Sequence, residues 1–300
     1  MKILCSLLIS LLAQGLAAQD TLLLFYLGGQ SNMDGYGYLR ELPDHLDQTF
    51  SDVWIFHGNS TPDGTPGGGK GIWAPLKPGH GAGFTSDGET NRYSDRFGLE
   101  LSFAHRMQEL YPGKKIALIK YARGGSSIDS LAAAAFGAWE PDFRSRKGIN
   151  QYDHFLATLR NAYRDRDVNG DGRADVLVPS GILWMQGESD GDKTEEIAQR
   201  YYANLKRLMD LIRAALHSDD LPVLIGKISD SYNGPNGKVW PYGELVQYAQ
   251  ERYARDDPRA AIIRSTRHYG YSDPYHYDGA GYIDMGIRFA EGIQILLSRQ

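Results

Sequence analysis

Six apolar, β-branched runs recur along the chain: TLLLFYL (21–27), DVWIF (52–56), KIALIKY (115–121), GILWMQ (181–186), PVLIGKI (222–228) and AAIIRS (260–265). Runs this continuous read as strands buried on both faces of a sheet. Between them the period changes. Over 195–216, Ile197, Tyr201, Leu205, Leu208 and Ile212 recur at three- and four-residue spacings, the stripe of a helix with one face on a core. A similar stripe of Ile283, Ile287, Ala290 and Leu297 predicts a last helix over 279–298 that closes one face. Alternation of this kind predicts an α/β fold, a mostly parallel sheet with helices on both sides. In such open sheets ligands bind beyond the carboxyl ends of the strands, so the residues just after each run are the ones to read for chemistry.

The 300 residues suffice for one large α/β domain, expected over 19–300. A formal net charge of -5, with its 32 Lys and Arg scattered, gives no footprint for nucleic acid. Residues 1–18 read as a secretory signal peptide: Met1 and Lys2, then an apolar run, then small residues, with cleavage expected near Ala17 or Ala18. That run is broken by Gln14 and Gly15 and falls short of the ~20 residues of a membrane span. The protein is therefore expected to be secreted or periplasmic, with no membrane span. Its one cysteine, Cys5, lies inside the signal, so the mature chain would carry no disulfide.

Residues 57–93 are rich in Gly, Pro, Asn and Asp without a sustained period, which predicts a long loop. Trp73, Phe84 and Tyr93 within it either face a sugar or pin the loop to the body.

Two short segments carry the chemistry. The first run leads into GGQSNMDGYG, which sets Ser31 just past a strand end, among glycines that permit a sharp turn and close approach of a substrate. Met33 stands where the GxSxG elbow of α/β-hydrolases has glycine, so this is a different turn. Near the other end, SDPYHYDGAGY places Asp273 three residues before His276. A loop that short can return the Asp carboxylate to Nδ1 of its own His, leaving Nε2 to take a proton from serine. The plainer reading is an N-capping Asp beside a surface His.

Four blocks in order, GGQSNM (28–33), LELSFAHRMQELYPGKKIALIKYARGGSSI (99–128), WMQGESD (184–190) and DPYHYDGAGY (273–282), resemble the SGNH hydrolases. Within them the likeness is to the branch of sialate O-acetylesterase-like proteins and acetylxylan esterases of carbohydrate esterase family six. The resemblance implies a three-layer α/β/α sandwich of flavodoxin-like type, with Ser31 as nucleophile, His276 as base and Asp273 as orienting acid. Acyl transfer needs donors aimed at the developing oxyanion. The candidates are the Ser31 amide and the amides of Gly124 and Gly125, of which the resemblance favours Gly125; where many SGNH enzymes use an Asn, the resemblance implies the side chain of Gln186, whose plainer reading is a buried amide tying two loops together. Glu188 and Arg123, each following a strand end, are expected to support the site by pairing beneath it.

Residues 167–175, DVNGDGRAD, space oxygen-bearing side chains as a calcium loop does, with Gly172 at its sixth position. Asp167, Asn169, Asp171 and Asp175 would ligate through side chains and Arg173 through its carbonyl; a polar turn is the simpler alternative. A structural Ca2+ is expected there, and no cofactor for catalysis. The expected function is a secreted serine esterase that removes small O-acyl groups, acetyl first, from a carbohydrate. The rival within enzymes is a lipase- or thioesterase-like hydrolase, but no apolar loop run offers a long acyl groove. The rival outside enzymes is a non-catalytic carbohydrate-binding or adhesion module.

Overall fold

A computed structural model describes residues 19–299; the predicted signal segment and Cys5 lie outside them. Seven strands form one sheet: β1 (Thr21–Gly29), β2 (Val53–His57), β3 (Trp73–Pro75), β4 (Lys115–Ala122), β5 (Val176–Met185), β6 (Val223–Gly226) and β7 (Ala260–Ile263). Their order is β7-β6-β5-β1-β4-β2-β3, parallel throughout except for β3, which runs antiparallel on the edge beside β2. Six of the seven are the apolar runs. β3 is the addition, three residues that the Gly- and Pro-rich surroundings of Trp73 concealed.

The helices are α1 (Ser31–Asp34), α2 (Glu100–Leu110), α3 (Gln151–Arg164), α4 (Glu188–Asp192), α5 (Glu195–Ala215), α6 (Gly243–Asp256) and α7 (Gly279–Leu297). Successive side chains of β1 serve opposite layers. Phe25 meets Phe103 of α2 edge-on at 5.2 Å, and Tyr26 meets Phe155 of α3 at 4.7 Å. α2 and α7 pack together over the first face, where Gly286 leaves room for the α2 backbone: a Cβ there would fall 2.4 Å from Leu99 O. The result is a three-layer α/β/α sandwich around one continuous core.

On α5 the predicted stripe is the buried one. On α7 the helix is as predicted but its inner face is turned: Tyr282, Met285, Phe289, Ile293 and Leu296 are buried, while Ile283 and Ile287 are only partly covered. Ala290 of the predicted stripe is buried, but Tyr282, Met285 and Phe289 share this side of the core with Ile293 and Leu296, which an aliphatic pattern does not pick out.

The loop after β2 is pinned by its aromatics. Trp73 donates its indole N–H to Ala162 O at 3.0 Å, and Phe84 stacks on His57 at 4.1 Å. Lys77 lies 3.8 Å over the Tyr93 ring. Of this loop only Ala82 and Gly83 reach the cleft described next.

The sheet runs outward from β1 in both directions, through β4 on one side and β5 on the other. β1 therefore flanks the switch point at which a ligand crevice forms in open sheets.

Candidate active site

β1 ends in Gly29, at φ 148°, where a Cβ would fall 2.0 Å from Met185 O. Only glycine lets the chain press this closely on β5 before turning. Gln30 then donates its amide to Met185 O at 2.9 Å, and Ser31 opens α1. Ser31 is buried but lines a cleft of about 410 Å3 walled by Gln30, Tyr36, Arg123, Gly124, Gly125, Phe136, Trp240, Tyr275 and His276. Two larger grooves, of about 640 and 650 Å3, run beside α3 around Gly67, Gly68 and Arg160 and contain neither Ser31 nor His276.

His276 and Asp273 come from the loop between β7 and α7. Asp273 returns to its own histidine, as its spacing suggested, but it caps no helix; the N-cap of α7 is Asp278. One carboxylate oxygen accepts the amides of Tyr275 and His276 at 2.7 and 2.8 Å, and the other lies 2.7 Å from His276 Nδ1. Burial alone would raise the Asp273 pKa, but the bonds from His276 and the Tyr275 amide outweigh it and hold the carboxyl below its ordinary value. It therefore stays ionised and fixes the tautomer with Nε2 as the free ring nitrogen. Ser31 and His276 share the cleft wall, and among the described residues no hydrogen bond joins them.

Three residues that the sequence reading passed over shape this pair. Tyr36 stacks flat on His276, with ring centroids 3.7 Å apart and planes 2° apart. Asn32, beside the serine, donates to Tyr275 O at 3.2 Å and accepts from the Tyr282 hydroxyl at 2.8 Å, tying the serine turn to the histidine loop. Gln30 accepts from Gln186 Nε2 and the Gly187 amide, both at 3.2 Å, and from the Ser189 amide at 3.4 Å. Tyr36, Asn32 and Gln30 all lie in or beside the GGQSNM block, so their proximity to Ser31 was legible although their roles were not.

Gly124 packs against Ser31: a Cβ there would lie 3.4 Å from Ser31 Cβ. Gly125 sits at φ 73°, with the Phe136 ring where its Cβ would be. Both glycines line the cleft, and no backbone acceptor takes their amides or that of Ser31 among the described residues.

Gln186 does not join them. Fully buried, it donates to Asp190 Oδ2 at 2.7 Å, Ser126 O at 3.2 Å and Gln30, and accepts from the Tyr201 hydroxyl at 2.9 Å. Both amide protons have protein acceptors and the side chain is no part of the cleft wall, so the expectation that it donates to substrate is corrected. It is a buried tie between loops.

The expected Arg123–Glu188 pair is corrected too. Glu188 accepts from Asn32 Nδ2 at 2.8 Å, and burial pushes its pKa up to about 7. Arg123 instead lines the cleft, its guanidinium carbon 5.9 Å from the Phe136 ring. Glu188 thus bonds the serine turn through Asn32, and Arg123 faces the cleft.

In the 167–175 loop, Asp167 Oδ2 accepts the Gly172 amide at 2.8 Å, Asn169 Oδ1 the Asp171 amide at 2.9 Å and Asp171 Oδ1 the Arg173 amide at 3.0 Å. Asp167 Oδ1 is buried without a partner. Asp175 turns away, its Oδ2 taking the Val168 and Asn169 amides at 2.8 and 3.3 Å. Among the described residues no three His, Cys, Asp or Glu side chains converge as a metal cluster would. The oxygen-rich loop therefore has the right donor chemistry and one orphaned oxygen, without the full expected ligand set.

A family model described as carbohydrate esterase, sialic acid-specific acetylesterase, matches residues 21–294. No curated protein matches the chain. Among solved structures, a protein from Arabidopsis thaliana superposes with a TM-score of 0.61 at 18% identity, over 93% of this chain and 99% of its own. NanS gives 0.61 at 17%, over 94% and 99%. A carbohydrate acetylesterase from Xanthomonas citri gives 0.58 at 17%, over 92% of this chain and 57% of its own. At these identities the structures speak to the fold. The family match spans all seven strands of the sheet and every residue of the Ser31 cleft, and the chain accordingly belongs to the sialic acid-specific acetylesterase family of carbohydrate esterases.

Proposed function

We propose that this carbohydrate acetylesterase is a secreted serine esterase that works through an acyl-enzyme on Ser31. The observation that carries this reading is the 2.7 Å His276–Asp273 pair, set in the same cleft wall as a buried serine at the end of β1. His276 Nε2 takes the Ser31 proton as Oγ attacks the ester carbonyl, and the oxyanion forms beside the unbonded amides of Ser31, Gly124 and Gly125. Collapse expels the sugar oxygen, which takes the proton from His276. Water, deprotonated by the same ring, then attacks the acyl-serine and frees acetate and Ser31. A cleft of this size, rimmed by Tyr36, Phe136, Trp240 and Tyr275, suits a short acyl group on a sugar ring, since aromatic faces pack on sugars.

Ser31→Ala and His276→Ala should each lower turnover by about 10^6 if the residues act as a unit, and Asp273→Asn by roughly 10^4. The assay is acetate release from acetylated xylan, acetylated pectin and O-acetyl sialic acid, with melting temperature as the fold control. Wild-type turnover in folded Ser31→Ala ends the mechanism. Export is checked by N-terminal sequencing of protein recovered outside the cytoplasm: a start at 18 or 19 supports the signal, an intact Met1 refutes it.

The 167–175 loop supports a second, structural proposal, a single Ca2+ held by Asp167, Asn169, Asp171 and the Arg173 carbonyl. The orphaned Asp167 oxygen favours it. Crowded carboxylates repel, and a bound cation relieves that repulsion. At tenfold excess over the dissociation constant the gain is about 1.4 kcal/mol, so chelation should lower the melting temperature and Asp171→Ala should abolish that response. Melting indifferent to calcium and chelator alike rejects the site.

A further inference from the structure

Two charged side chains of the cleft wall, Asp34 and Arg123, have no partner among the described residues. Asp34 closes α1, the short helix that Ser31 opens, and Arg123 follows β4 directly before Gly124. The Asp34 carboxylate accepts no hydrogen bond there and neither of its oxygens is enclosed, so it opens on the cleft. Lys120 beneath it is taken up by Asp34 O, His80 O and Glu100 Oε2 and has no proton left for the carboxylate. Burial pushes the Asp34 pKa up to about 6, more than Lys120 and Arg123 pull it down, so at neutral pH it is an ionised acid without the donors a buried charge needs. Arg123 is its mirror image: the guanidinium makes no hydrogen bond among the described residues, and its Nε is buried without an acceptor. The two are near enough to act on each other's charge, yet no ion pair joins them, which leaves a gap between a free acid and a free base. The other charges of the wall are matched, Lys193 by Asp192 and His276 by Asp273, so no surplus of positive charge remains to draw a carboxylate.

What fills that gap must donate a proton to the acid and offer a lone pair to the base. A hydroxyl does both, and two neighbouring ring hydroxyls do so at once, one at each charge. A substrate carboxylate would satisfy Arg123 but face Asp34 with like charge. We propose that Asp34 and Arg123 clamp the free hydroxyls beside the acetylated oxygen, and that the sugar this cleft takes is a neutral one with a hydroxyl next to its ester. The proposal rests on Ser31 being the nucleophile, since only then is this cleft the acyl site. It gives the ester its direction: with the neighbouring hydroxyl held at the far end of α1 and beside Gly124, the acetyl group is left to Ser31 at the near end.

The test deletes the bond from either side. The probes are a methyl xyloside acetylated at its middle hydroxyl, the same ester with either neighbouring hydroxyl replaced by hydrogen, and O-acetyl sialic acid. With the wild-type enzyme, at least one deoxy ester should lose about 10- to 150-fold in kcat/KM, the range of a hydrogen bond to a charged group. Asp34→Asn and Arg123→Met should each lose a similar factor on the parent ester, with melting temperature as the fold control. Combined with the deoxy ester the losses should not multiply, because enzyme and substrate deletions remove the same bond. O-acetyl sialic acid should be the poorer substrate. Deoxy esters cleaved within about threefold of the parent overturn the proposal, and that result needs no variant to fold. Losses that multiply overturn it too, since Asp34 and Arg123 then act elsewhere. So does a preference for O-acetyl sialic acid that Arg123→Met abolishes and Asp34→Asn improves, which would make the guanidinium a carboxylate site. Ser31→Ala run alongside keeps the two readings apart: activity there removes the acyl-enzyme itself, whereas an inactive Ser31→Ala with indifferent deoxy esters removes only the clamp. A wild-type enzyme that cleaves none of the esters removes both.

Discussion

Tyr36 lies flat on His276, and the contact has a consequence for catalysis that the Asp273 bond alone does not supply. The bond to Nδ1 fixes one edge of the imidazole, about which the ring can still swing; the tyrosine face at 3.7 Å removes that freedom. An aromatic pair is worth roughly 0.5–1.5 kcal/mol, so Tyr36→Ala should lower kcat about 2- to 12-fold, with Tyr36→Phe near wild type because the stack needs the ring and not the hydroxyl. A kcat unchanged in Tyr36→Ala would show that the loop holds His276 unaided. At this scale the Asp273–His276 contact was legible, because a carboxylate three residues before a histidine in a short loop can fold back on its Nδ1. The sequence left Gln186 undecided, because a glutamine just past a strand end fits a donor to the cleft and a buried tie alike, and only its hydrogen-bond partners tell the two apart.

Elements place these residues, and β4 holds the least expected of their supports. Lys120 sits in the interior of the strand and is fully buried, donating to Asp34 O at 2.7 Å, His80 O at 2.7 Å and Glu100 Oε2 at 2.9 Å. All three of its protons are satisfied, on the serine helix α1, the long loop after β2 and the start of α2. The sequence run KIALIKY showed the strand but not why it tolerates a lysine; the answer is three acceptors contributed from positions 34, 80 and 100, which no local pattern could bring together. Removing one partner of a buried ion pair strands the other, at about 3–5 kcal/mol. Lys120→Ala should therefore destabilise the protein by about that much in urea unfolding, and Lys120→Met combined with Glu100→Gln should recover a large part of it. If the double variant is as unstable as the single one, the bonds to the two carbonyls, rather than the buried charge of Glu100, dominate.

For the whole molecule, the elements around the cleft meet on a buried acid, which makes stability depend on pH in a direction opposite to that of most paired carboxylates. Glu188, at the start of α4, bonds Asn32 Nδ2; Asn32 in turn holds the Tyr275 carbonyl and the Tyr282 hydroxyl, so β1, β5 and the loop before α7 converge there. Its second oxygen is buried without a partner, and burial raises its pKa from 4.5 to about 7. For an acid whose folded pKa lies above its unfolded one, the folded state binds more protons between the two values. Its contribution is thus fully present below pH 4.5 and is lost as pH rises through about 7. At 1.36 kcal/mol per unit the loss amounts to about 3 kcal/mol between acid and mildly alkaline pH. Glu188→Gln can still accept the Asn32 bond and cannot ionise. The variant should therefore melt near wild type at pH 5 and clearly above it at pH 8, so that the difference between the two melting curves grows with pH across that window. A constant difference would mean that Glu188 is already ionised in the fold, held by Asn32 despite its burial; a difference that shrinks with pH would reverse the sign and place the carboxylate among the charges that stabilise the cleft.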